Sequence, residues 1–303
     1  MSSPLPPELV ADVVQNLTIS DLLRASHVCV SWRAIARGCP VFWQEIKLHA
    51  SSSSAADFFI ARLNQTNITG ISVTIRLQWL DDLQTCVVVT LIAHMFRVEK
   101  LALRFRGSEE QSALHIVRQP ADSLRTLRID SLTMITLPED LFAGHAPLLC
   151  ELELCSVRLP PQPIAVLESC KVVILQRDHM DDVARDNNLM RFPRLESLTL
   201  DGPIHIVGPL EQPTALHEVY MDTTIDRYNE WFSALPWLTR VAVVAIGEPR
   251  PEHILKAIEG LPAGPVRVEM TLSELAEKRY RMHKPSEHLF TQILTINREG
   301  FPE

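Results

Sequence analysis

Two rhythms of apolar and polar positions divide the chain. Through residues 5–37 the apolar spacing is helical; beyond Trp43 it becomes the alternation of short strands separated by connecting segments. In the helical part, Pro6 and Pro7 open a first helix, where a missing N–H costs nothing. Leu9, Val10, Val13, Val14 and Leu17 then form an i, i+1, i+4, i+5, i+8 face, wider than one stripe. Ser20 is placed as the N-cap of a second helix carrying Leu22, Leu23, Ser26 and Cys29. Trp32, Ile35 and Ala36 mark a third, ended by Gly38 and Pro40. A unit this small is hard to stabilise alone, so its surplus apolar surface must dock on the rest of the chain, on a partner, or on both.

After this head the pattern L-x-x-L-x-L returns. It runs Val98-x-x-Leu101-x-Leu103, Leu124-x-x-Leu127-x-Ile129 and Leu149-x-x-Leu152-x-Leu154. Cys170-x-x-Val173-x-Leu175, Leu195-x-x-Leu198-x-Leu200, Leu216-x-x-Val219-x-Met221 and Leu238-x-x-Val241-x-Val243 continue it. Steps of 21 to 26 residues separate the fourth positions, inside the range of leucine-rich repeats. Weaker members are Trp43-x-x-Ile46-x-Leu48, Val73-x-Ile75-x-Leu77 and Val266-x-Val268-x-Met270. Residues 81–96 and 54–63 read as connecting helices, and Pro138 is placed as the first residue of another over 138–142. Residues 226–235 and 251–261 repeat the theme. A helix over 273–284 is placed as a cap, with residues 285–303 docked behind it.

This pattern implies an α/β fold in which a small N-terminal three-helix head (residues 1–46) precedes an irregular leucine-rich-repeat solenoid with a C-terminal helical cap (residues 47–303). About eight to ten units are expected. Strands alternating with helices also suit a doubly wound sheet, but no Gly-rich loop follows a strand and the strand motif is self-similar.

The head carries a family resemblance. Leu5-Pro6-Pro7-Glu8-Leu9-Val10, Val13-Val14, Leu17, Asp21-Leu22-Leu23, Val28-Cys29-x-x-Trp32-Arg33 and Phe42-Trp43 together resemble an F-box, in particular those of the divergent fungal F-box proteins. Val13 and Val14 stand where bulkier Ile and Phe are common. The resemblance implies that the head binds a Skp-type adaptor, and through it a cullin, within an SCF ubiquitin ligase. Leu5, Pro6, Leu9, Val10, Leu17, Leu22, Val28 and Trp32 are the adaptor-facing or interface-supporting residues it implies. The repeats would then hold an unknown protein substrate. The competing reading is a non-catalytic repeat scaffold or ligand-binding protein whose head only caps the solenoid.

Composition narrows the function classes. The chain is 46% hydrophobic and 22% charged, as folded domains are. A formal charge of −8 gives no footprint for nucleic acid. Lys278, Arg279, Arg281 and Lys284 read as the solvated face of a helix. No apolar run is long enough to span a bilayer, so neither nucleic acid nor membrane is expected as a partner, and the expected location is cytoplasmic and/or nuclear. Six cysteines form no C-x-x-C pair and read as reduced thiols. Asn16, Asn64 and Asn67 open N-x-T sequons, which have no role without secretion.

Catalytic chemistry finds little support. Arg177-Asp178-His179-Met180-Asp181-Asp182 reads as a polar loop, because consecutive residues seldom converge on a metal. His283 and His288 fit no helical ligand pair. No nucleophile elbow, phosphate loop or H-E-x-x-H is present. No enzyme activity, cofactor or metal is expected. Trp79, Trp231 and Trp237 are placed in the core beside repeat strands. On the strands, the residues between the leucines point away from the core. Ala102, Arg104, Arg128, Asp130, Glu153, Gln176, Thr199, Asp201, Tyr220 and Asp222 form that outward set, and Arg104, Arg128, Asp130, Glu153, Gln176, Asp201, Tyr220 and Asp222 are the candidate substrate contacts. Basic residues come first and acidic ones later, a gradient able to orient a ligand.

Overall fold

The computed structural model describes residues 6–49, 52–66, 70–77, 81–106, 109–176, 191–201, 215–222, 243–247 and 267–271. The chain divides into two compact units, Met1–Arg128 with Asp140–Leu148, and Ile129–Glu139 with Leu149–Glu303.

The first unit begins with α1 (Pro7–Gln15), with Pro6 as N-cap and Glu8 in the first turn, where a negative charge favours the helix dipole. Helix α2 (Ile19–Ser26) is capped by Thr18 rather than Ser20, which lies inside the helix. Thr18 Oγ1 accepts the Asp21 N–H at 3.3 Å and donates to Asp21 Oδ2 at 2.8 Å, a reciprocal cap that a serine two residues later cannot make. The helix stops at Ser26. Cys29, placed on α2 by its spacing, instead caps α3 (Val30–Gly38), its Sγ accepting the Trp32 N–H at 3.5 Å. Pro40 does not only end α3; it starts α4 (Pro40–Gln44), a short helix the spacing did not predict.

Strand β1 (Glu45–Leu48) leaves α4 without a break. Helix α5 (Ser53–Gln65), strand β2 (Ile71–Arg76), helix α6 (Asp81–His94), a 3-10 turn (Met95–Arg97), strand β3 (Val98–Phe105) and helix α7 (Glu110–Val117) follow. The α7 helix was not predicted from the pattern. Strands β1, β2 and β3 pair in parallel, with Ile46, Val73 and Leu101 in one register row and Leu48, Ile75 and Leu103 in the next. All six are buried. Parallel neighbours need crossover connections, which α5 and α6 supply.

Two buried arginines hold these segments. Arg62 of α5 donates through Nη2 to the carbonyls of Phe42 and Glu45, the latter at 2.9 Å. Arg97 donates to the carbonyls of Thr66 and Leu63, at the end of α5. Each satisfies the acceptors that a helix C-terminus leaves open. Burial depresses the Arg62 guanidinium to a pKa of about 10, with Glu45 acting the other way, and also lowers Arg97.

The helix expected from Pro138 does not form. Leu141–Gly144 is a single turn in which Phe142 and Ala143 have φ of 52° and 49°, and the turn buries the Phe142 ring. Strand β4 (Thr126–Thr136) contributes residues to both units.

In the second unit, β5 (Glu151–Arg158), β6 (Val172–Gln176), β7 (Ser197–Asp201), β8 (Glu218–Asp222), β9 (Val243–Gly247) and β10 (Arg267–Thr271) each pair in parallel with the next in chain order. One register row is Leu152, Val173, Leu198, Val219, Val244 and Val268; a second is Leu154, Leu175, Leu200, Met221, Ile246 and Met270. The last strong motif therefore sits three residues later than the Val241 frame. The run from Val241 to Ile246 is continuously apolar, and without alternation it cannot fix its own frame. A 3-10 turn (Ala165–Ser169) lies between β5 and β6.

The expected helices over 226–235, 251–261 and 273–284, the segment 285–303, the Arg177–Asp182 cluster and Trp79, Trp231 and Trp237 lie outside the described residues.

Candidate functional site

The head closes around Val10, Val14, Leu22, Ala36, Cys39 and Phe42, with Leu17, Ile19, Leu23, Trp32, Ile35 and Trp43 packed half-buried against them. Polar ties fix the corners. Arg33 Nε donates to the Ser26 carbonyl at 3.0 Å, and the Trp43 indole N–H donates to the Arg37 carbonyl at 2.5 Å. The Phe42 and Trp43 rings meet edge to face at 4.9 Å.

This packing sorts the residues named from the sequence. Val10 and Leu22 lie in the head's core, 2% and 0% exposed. Leu17 and Trp32 are half-buried supports. Pro6 is exposed at the start of α1. Leu9 on α1 and Val28 in the α2–α3 corner are 52% and 66% exposed. Leu5 lies outside the described residues. Two residues that the sequence left out of the contact set belong with the exposed ones: Val13 at 50% and Val30 at 79%. The four-residue step from Leu9 to Val13 was the available signal for the first, since it places both on one helix face. Val30, the first residue of α3, carried no periodic signal.

Leu9, Val13, Val28 and Val30 are not part of the head's core, which closes without them. Residues 3–49 match the F-box-like family model. The match contains α1 to α4 and β1, so the F-box-like head reaches into the first strand. F-box domains generally bind Skp-type adaptors, and the match suggests that role, in the setting of SCF complexes, for the head. No curated protein matches the chain.

The candidate substrate contacts separate less cleanly. Arg104, Glu153 and Gln176 are half-buried and Arg128 is exposed, at positions off the core rows. Asp130 is not outward: it is 9% exposed, within a run of three buried residues, Ile129 to Ser131, where the alternation of β4 fails. Register places Gln176, Asp201 and Asp222 side by side across β6, β7 and β8, and Thr199 beside Tyr220. The side chains of Asp201, Tyr220 and Asp222 lie outside the described part. Register also sets Arg104 beside Arg76, which the sequence had not singled out.

Among the described residues no helix is long and apolar enough to cross a membrane, and no group of three or more His, Cys, Asp or Glu side chains is placed to hold a metal ion. Cys170 is pushed up to about 12 by burial and by Cys150, so its thiol stays protonated. Cys29 and Cys86 are exposed.

Proposed function

We propose that the protein is the substrate-recognition subunit of an SCF-type ubiquitin ligase. The F-box-like head docks a Skp-type adaptor and through it a cullin, and the strands that follow hold a protein substrate. The observation that carries this reading is the exposure of Leu9, Val13, Val28 and Val30 on a head whose core is already closed. The strand region is read as an irregular leucine-rich-repeat solenoid. Parallel strands in chain order, each bearing the same two apolar register positions, support that reading. The chain performs no bond chemistry in this role, needs no cofactor, and acts in the cytoplasm or nucleus. It raises the local concentration of substrate beside a transfer enzyme.

A second reading, in which the head only caps the strands, draws on the run from α4 into β1 and on the Arg62 bonds to Phe42 and Glu45. One experiment separates the two. The full chain is co-expressed with a Skp-type adaptor, and alkylation of Cys29 is compared with that of Cys86. Cys29 lies between Val28 and Val30, so a docked adaptor shields it while Cys86 keeps reacting. Separate elution of the two proteins, or equal reactivity of Cys29 with and without adaptor, rejects the receptor role.

A further inference from the structure

The face of β1, β2 and β3 opposite the core carries a concentration of cations in a chain whose formal charge is −8. Alternation fixes which residues stand there. Ile46, Leu48, Val73, Ile75, Leu101, Leu103 and Phe105 are buried. The residues between them, Lys47 on β1, Ser72, Thr74 and Arg76 on β2, and Lys100, Ala102, Arg104 and Arg106 on or just past β3, are half-buried or exposed. Register then lines them up as Ser72 beside Lys100, Lys47 beside Thr74 and Ala102, and Arg76 beside Arg104.

Three carboxylates border this face: Glu45, in the row of Ser72 and Lys100; Glu99; and Glu109, which accepts the Arg106 backbone N–H at 3.0 Å. Glu45 pairs with Lys47 at 2.6 Å, and Glu99, at the edge, is engaged by Arg125 at 3.6 Å. Among the described residues Arg76, Lys100 and Arg106 have no ion pair, and Arg76 Nε is buried without a hydrogen-bond partner. His49 feels the same field: partial burial lowers its pKa first, then Arg76 and Lys47, against Glu45.

We infer that the β1–β3 face of this protein binds a carboxylate-rich, extended segment of a partner protein, with Arg76, Lys100 and Arg106 as its cationic contacts. This rests on the receptor reading only for its biological meaning; the binding itself does not depend on an adaptor.

Spacing favours a row of carboxylates over one compact anion. Neighbouring strands lie about 4.8 Å apart and alternate residues about 6.6 Å apart along a strand, so the cations are spread rather than focused on one point. An extended peptide presents side chains to one face with the same two-residue repeat. The residues between the cations, Ser72, Thr74 and Ala102, are small, so little side-chain bulk separates the cations. They also provide no aromatic ring, and single-stranded nucleic acid depends on rings for base stacking.

The test uses the full-length protein and a fluorescent peptide repeating Gly-Glu-Ser-Asp, read by anisotropy. Binding is expected at low salt and should weaken as salt rises. The Lys100→Glu, Arg106→Glu double variant, at two exposed positions, should lose about tenfold or more in affinity. Arg76→Gln should weaken binding too, without a charge reversal beside the core. A peptide with Gln and Asn in place of the acids should not bind. Unchanged affinity in the double variant, equal binding of the neutral peptide, or tighter binding of single-stranded RNA of equal length each overturns the inference. Adaptor co-elution of the same double variant should be intact; failure of the wild-type chain to bind adaptor would count against the receptor reading and leave the peptide result standing.

Discussion

The Arg62 guanidinium lies 5.1 Å from the centre of the Phe42 ring while its Nη2 donates to the Phe42 carbonyl. One side chain thus meets both the ring and the backbone of the same residue, at the point where α4 passes into β1. It also faces the Phe58 ring at 5.6 Å. Replacing Arg62 with Ala strips two carbonyls of their donor and removes packing from two rings. The loss should be about 2–4 kcal/mol, read as a lower unfolding midpoint in the full chain. Arg62→Lys should recover only part of it, because an ammonium lacks the planar fork that reaches both acceptors.

Neighbouring valines on α1 should behave oppositely. Val13 is half exposed and Val14 is fully buried. Val13→Glu should leave the thermal transition nearly unchanged and abolish adaptor co-elution. Val14→Glu places a carboxylate in the core of the head and should unfold it, at a cost of several kcal/mol. Circular dichroism and co-elution of the two variants together distinguish contact from support.

Ser156 on β5 has φ of 55° and a buried hydroxyl with no partner among the described residues. A left-handed backbone costs a non-glycine residue about 1–2 kcal/mol, and the unpaired hydroxyl adds to that. Ser156→Gly should therefore stabilise the chain by about 1 kcal/mol, which a denaturant titration would detect. Ser156→Ala retains the strained backbone and should gain less.

Acidification should destabilise the first unit through two histidines. His94 sits 3.0 Å from Asn64 Oδ1, and burial, then Arg97, lowers its pKa below the ordinary 6.5; His49 is lowered as well. The folded state holds both neutral more strongly than the unfolded chain does. Their contribution is complete above pH 6.5 and is lost as pH falls from there through the lowered folded values. Denaturation midpoints measured across this window should decline, and His94→Gln should flatten the decline. An unchanged slope in that variant would assign the effect elsewhere.

The legible parts of this fold were those with a repeated local signal. The rows through Leu101, Leu152, Val173, Leu198 and Val219 follow directly from L-x-x-L-x-L, because a buried strand face imposes its period on the sequence. The Val241 frame failed where the period disappears into a continuous apolar run. The expected helix at Pro138 failed for a different reason: the burial of Phe142 is met by a left-handed turn over Phe142, Ala143 and Gly144, in which only Gly144 is of a type that favours such backbone. Arg62 and Arg97 were invisible in sequence because their partners are main-chain carbonyls, which every residue possesses. The head was recognised as a pattern, yet only packing separates Leu9 from Val10 or Val13 from Val14.

The arginine clamps bear on where the head can be cut. The family match ends at residue 49, but the donor to the carbonyls of Phe42 and Glu45 is thirteen residues further on, at Arg62. Arg97 completes α5 in the same way from the segment after it. On an emerging chain, each segment is closed by a residue synthesised later than itself. A fragment trimmed to the matched borders would keep the exposed Val13, Val28 and Val30 and still lack the side chain that seals its last helix.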